Sequence, residues 1–200
     1  NLTYTGRPDQ DAPRDPSGWN VTDLKGKFDS SAYVSSHSDL VALMVLSHQA
    51  GGHNLLTKIN FDVRAALYRE EALNRELKEA PDHRWESTNT IMNSAADGLV
   101  KYFLFVDETR LTDPIKGSTK FTEEFAARGP QTKDGRSLRD FDLQTRLFKY
   151  PCSYLIDSES FDTLPAELRR TIWKRLDGIL TAEKPEMEFE HLTAADRTAI

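Results

Sequence analysis

Three histidines, His37, His48 and His53, lie within 17 residues of one another. Imidazole can move protons at neutral pH and can bind metals or haem. On a helix, His37 and His48 share a face but stand about 16 Å apart along the axis. His48 and His53 point about 140° away from each other. Neither spacing is the i,i+3 or i,i+4 pair that one helix uses to hold a metal. A site shared between helices stays open. If the chain folds back around Pro81, His53 comes level with Asp107, Glu108 and Thr109. One imidazole and two carboxylates suit a hard or borderline metal ion. Alternatively, His48 beside Gly51 and Gly52 could be the axial ligand of a non-covalent haem, with the glycines leaving room for the ring. The plainer reading is preferred to both. A histidine on an apolar face is usually a satisfied core residue, and paired glycines usually let helices approach closely.

Two further clusters carry reactive groups. Cys152 sits in Tyr150-Pro151-Cys152-Ser153-Tyr154. At a helix N-terminus its thiol would be acidified, and a nucleophilic role would then require a histidine nearby in space. A zinc-deaminase pattern fails for want of a second cysteine. Burial among aromatics is the commoner fate of a free cysteine. Arg136, Arg139, Asp140, Asp142, Arg146 and Lys149 alternate in sign along a partly apolar segment. They are expected to form an arginine–carboxylate network that pins a loop, with a phosphate or carboxylate ligand as the alternative. Phosphate-binding loops, dinucleotide fingerprints, nucleophile elbows and EF-hand loops are absent.

Helices must position these groups. Residues 36–79 hold the strongest helical pattern, with apolar or small residues at Val41, Val45, His48, Gly52, Leu55 or Leu56, Ile59, Val63 and Ala66. Ser36 or Ser38 is the expected cap. Gly51-Gly52 should break or kink this helix. Leu40–Leu46 is apolar nearly all round and is expected to be its most buried part. A second helix is expected over 86–107, antiparallel to the first across a short connection. Shorter helices should cover 118–127 and 152–161. Pro165 opens one to about Leu180, with Trp173 among its inward residues, and Thr193 starts another. Residues 1–35 read as an extended arm anchored by Trp19, Leu24, Phe28 and Tyr33, and 36–200 as a helical domain. The expected fold is all-α, a helical bundle built on a long antiparallel hairpin.

The chain has 200 residues, 26 Lys plus Arg and 32 Asp plus Glu, for a net charge of −6. That balance argues against sequence-independent binding of nucleic acid. No apolar run is long enough for a membrane span. The lone cysteine allows no internal disulfide, so the redox compartment stays open. Neither end reads as a natural boundary, and a longer native chain is expected.

The runs Ser36-His37-Ser38-Asp39-Leu40-Val41-Ala42-Leu43-Met44-Val45-Leu46, then His48-Gln49, and Phe148-Lys149-Tyr150-Pro151-Cys152-Ser153-Tyr154-Leu155-Ile156 resemble a group of uncharacterised bacterial exported proteins. The resemblance covers most of 22–200. The group is loosely associated with c-type cytochromes, but the CxxCH attachment motif is absent from this chain. The resemblance therefore implies a periplasmic or extracellular location and not haem. Together these readings favour a non-catalytic binding domain that meets a protein partner or further domains of its own chain. A metal- or haem-binding domain tied to electron transfer is the alternative.

Overall fold

The computed structural model describes residues 23–34 and 36–200. Among the described residues six α-helices run in the order α1 (Leu40–Leu77), α2 (Glu86–Phe103), α3 (Phe121–Ala127), α4 (Glu159–Asp162), α5 (Ala166–Thr181) and α6 (Ala194–Ala199). Among the described residues β-pairing is limited to isolated bridges. The fold is all-α, with α2 packed between α1 and α5.

Helix α1 is a single element of 38 residues that passes through Gly51-Gly52 without a break. Asp39 caps it, accepting from the Ala42 amide at 3.1 Å, so neither Ser36 nor Ser38 has that role. At the other end Lys78 turns left-handed and the Glu79 amide reaches back to Asn74 O at 2.9 Å. Val41, Val45, Gly52, Leu56, Ile59, Val63 and Ala66 form the buried stripe, at the spacing read from the sequence. The expectation for Leu40–Leu46 is overturned. Leu40, Leu43 and Leu46 are 42%, 48% and 61% exposed. Helix α2 is less than half the length of α1, and only the Val41–Val45 side of this end is covered.

A polar latch joins the far end of the hairpin to α5. Glu70 and Asn74 are buried on α1. Arg84 bridges Glu70 at 2.8 Å and also pairs with Glu167 of α5. The Trp85 indole donates to Asn74 Oδ1 at 2.6 Å, and its backbone amide to Glu70 Oε2 at 3.0 Å. Burying a charge costs heavily unless it is paired and hydrogen-bonded, and here each partner is engaged.

Helix α5 starts after Pro165 and buries Leu168, Ile172, Leu176 and Ile179. Trp173 is 52% exposed rather than inward, and meets Phe161 only edge-on. Instead of one helix over 152–161, a 3₁₀ turn (Tyr154–Asp157) leads into α4, capped by Ser153 and Ser158 in turn. Thr193 and Asp196 form a reciprocal capping box on α6. Of the expected arm, 23–34 is non-helical and joined to the body by the Asp23–His37 bridge. Phe28 and Tyr33 are exposed and pack on each other at 5.9 Å, so they do not anchor it. Trp19 lies outside the described residues. Among the described residues no helix is long and apolar enough to cross a membrane.

The glycines give a direct test of this packing. A Cβ on Gly52 would overlap Leu155 Cδ1 and stand 3.0 Å from Tyr102, whereas a Cβ on Gly98 would meet nothing within 4 Å. Helix propensity alone favours alanine by about 1 kcal/mol at either position. Overpacking costs about 1–3 kcal/mol and opposes that gain only at Gly52. Urea unfolding should show Gly98→Ala stabilised and Gly52→Ala destabilised. Equal gains in both would refute the close contact.

Candidate binding pocket around His48

His48 faces inward from α1 and is enclosed by rings. It stacks on Tyr102 at 5.1 Å and on Phe105 at 4.9 Å between centroids. Phe148 and Tyr154 approach it at steeper angles, each at 5.9 Å. Its Nε2 shares a hydrogen bond of 2.7 Å with Ser153 Oγ. The Tyr102 hydroxyl donates to the His48 carbonyl at 2.6 Å. Burial pushes the His48 pKa down to about 4, so the ring is neutral at pH 7.

A serine and a histidine at this distance resemble a nucleophile and its base. Ser153, however, is 0% exposed. Its hydroxyl also accepts from the Leu155 amide at 3.2 Å, and its own amide donates to Phe103 O at 2.7 Å. No substrate carbonyl can reach that oxygen without opening the core. The pair is a core hydrogen bond that ties the 3₁₀ turn to α1. Sequence reasoning missed Ser153 because 105 residues separate it from His48. The only local signal was its position as a cap after Pro151.

The haem reading does not fit these residues. The directions in which Gly51 and Gly52 lack a Cβ are filled by Tyr102, and at Gly52 also by Leu155. No gap is left there for a macrocycle, and Nε2 of His48 is already engaged with Ser153.

The three expected metal ligands are not brought together. His53 Nδ1 meets Ser160 Oγ of α4 at 3.2 Å. Asp107 and Glu108 instead share a cavity with His48. Among the described residues no three His, Cys, Asp or Glu side chains converge as an ion site. The reason is register. Folding symmetrically about Pro81 would set Tyr102 against Asn60, yet Tyr102 lies on His48 and Gly51-Gly52. In addition α2 stops at Phe103, so residues 104–108 turn instead of continuing alongside α1.

That turn builds the cavity wall. Val106 N reaches back to Lys101 O at 3.0 Å and Phe105 N to Tyr102 O at 3.3 Å, which is the Schellman closure of a helix. Glycine is the usual residue at its left-handed position, but here Phe105 holds φ 55°, and Asp107 follows at φ 66°. A bulky side chain in this region costs on the order of 1–2 kcal/mol. Stacking on His48 and contact with Phe148 at 5.9 Å offset the cost for Phe105.

The resulting cavity holds about 480 Å³. Leu43, Met44, Val106 and Leu147 form apolar walls, the Tyr102 and Phe105 rings and His48 the aromatic part, and Asp107 and Glu108 the acidic part. Asp107 and Glu108 are exposed. Desolvation nevertheless raises the Glu108 pKa, and the charge of Arg146 opposes that rise.

The other clusters are internally engaged. Burial pushes the Cys152 thiol up to about 12, and Asp157 adds to the rise, so no thiolate forms near neutrality. Arg146 pairs with Asp196 at 2.6 Å and lies 3.8 Å from Asp142. Arg139 lies over the Phe125 and Tyr154 rings at 4.9 and 5.1 Å. Arg136 pairs with Asp134 at 2.7 Å and donates to Ala199 O at 3.0 Å. Asp140 accepts from the Ser137 amide, and Lys149 lies over Tyr150. These contacts pin the 132–150 loop, in part through Asp134 and Asp196, which the sequence cluster left out. Compared with protein-family models, curated proteins and solved structures, the chain matches none.

The neutral His48 makes a prediction about pH. Its ordinary pKa of 6.5 falls to about 4 on folding. Between those values the unfolded chain binds a proton that the folded chain rejects. The contribution is therefore complete above pH 6.5 and is lost as pH falls toward 4, amounting to about 3 kcal/mol. Urea unfolding from pH 7.5 to 4 should show a steeper loss of stability for the native chain than for His48→Gln. Parallel curves would contradict a buried neutral imidazole.

Proposed function

We propose that the chain is a non-catalytic helical binding domain and that the cavity over His48 receives its ligand. The observation that carries this reading is a preformed pocket of about 480 Å³, walled by aromatic and aliphatic side chains and bounded on one side by a strained turn. Ligand sites are typically concave and mostly apolar, with a few well-placed polar groups. Backbone strain of this kind concentrates at functional sites. The groups that could do covalent chemistry nearby are committed elsewhere: Ser153 is buried, His48 is neutral and bonded, and Cys152 is held as a thiol. The metal or haem alternative has less support, since His53 faces Ser160 and the glycine gap is filled.

We attach to this reading the periplasmic or extracellular location in bacteria that the sequence resemblance implies, which fractionation of an expressing strain checks. The binding claim is tested by a fragment screen read by amide NMR shifts. Compounds that bind should perturb Leu43–His48 and Tyr102–Glu108. Leu43→Trp, a change on a half-exposed side chain of the pocket wall, should weaken them at least tenfold. Binding that ignores Leu43→Trp, or a screen with no shifts at these residues, would overturn the proposal.

A further inference from the structure

Resting on the pocket reading above, we infer that the His48 pocket takes a small organic cation, a protonated amine carried on an apolar body. The charged groups that line the cavity share one electrostatic sign. Asp107 and Glu108 line the cavity, and neither makes an ion pair or a side-chain hydrogen bond among the described residues. The charge of Arg146 acts on Glu108, and both line a smaller neighbouring cavity with Arg110, but the Arg146 guanidinium is bound to Asp196 at 2.6 Å. The positive end of the α1 dipole adds nothing against a cation, because the Asp39 carboxylate caps it and accepts from the Ala42 amide.

The ring faces add to the same preference. Tyr102 and Phe105 line the cavity, and aromatic faces attract cations. No Lys or Arg lines it. His48, the one basic group there, stays uncharged near neutrality because burial lowers its pKa to about 4. The remaining wall is Leu43, Met44, Val106 and Leu147, which suits a hydrocarbon or aromatic body. An anion would meet two unpaired carboxylates. A bare metal ion would find no group of three ligating His, Cys, Asp or Glu side chains among the described residues. The groove between α2 and α5 is lined by Arg84, Arg170, Lys174 and Arg175 with one carboxylate, Glu167, and serves as an internal control.

Three probes of similar shape separate the possibilities: 2-phenylethylamine, 2-phenylethanol and 3-phenylpropionate. Each is titrated into the full chain at pH 7.5 and followed by amide NMR shifts. The amine should bind at least tenfold more tightly than the alcohol or the carboxylate, with shifts at Leu43–His48 and Tyr102–Glu108. The double variant Asp107→Asn, Glu108→Gln should lower amine affinity to that of the alcohol and leave the alcohol unchanged. Both side chains are exposed, and asparagine tolerates the left-handed backbone of position 107, so the fold should survive. If the alcohol or the carboxylate binds this pocket as well as the amine, the charge inference fails and the pocket reading stands. If no probe shifts these residues, or shifts fall only on the α2–α5 groove, both fail.

Discussion

The close approach of α1 to Tyr102 and Leu155 at Gly51-Gly52 is the contact on which the rest of the molecule depends. Any side chain at Gly52 would displace Leu155 or Tyr102. Because none is there, Tyr102 can lie flat on the His48 ring and donate its hydroxyl to the His48 carbonyl. That ring arrangement leaves Nε2 to meet Ser153, the cap of the 3₁₀ turn. The Tyr150–Phe161 segment is thereby drawn against α1, and Leu155 and Phe161 enter the core. Remove the close approach and the aromatic floor, the serine tie and the cavity lose their shared support.

The turn after α2 shows how local cost and tertiary gain are balanced. Phenylalanine is a poor choice for a left-handed helix terminus. Its ring repays the backbone through stacking on His48 and contact with Phe148. The same turn stops α2 short of Val106 and brings Asp107 and Glu108 to the mouth of the cavity rather than beside His53. Position of charge and shape of pocket thus follow from one capping decision.

Much of the helical frame was legible because its signals are local. The Val41–Ala66 stripe, the Pro165 start and the Thr193 box each depend on residues within a few turns of one another. The preferred view of His48 as a satisfied core residue, with the glycines as a close-packing device, agrees with its contacts. The Leu40–Leu46 run was misread because apolarity all round a helix does not say how far its neighbour extends. The end of α2 was misplaced because Leu104 to Val106 keep an apolar pattern, and nothing in phenylalanine announces a turn. Ser153 and Asp196 were invisible for a different reason. Their partners, His48 and Arg146, are distant in sequence, and no spacing rule reaches across such a gap.

In the proposed reading His48 is the uncharged floor of a binding pocket, not a ligand to a metal or a haem. Its ring can be observed directly by NMR through the imidazole nitrogens as pH is lowered. A neutral ring at pH 7, protonated only near pH 4, is the result required by its burial. A midpoint at or above the ordinary value of 6.5 would show an accessible or charge-stabilised imidazole and would contradict the account.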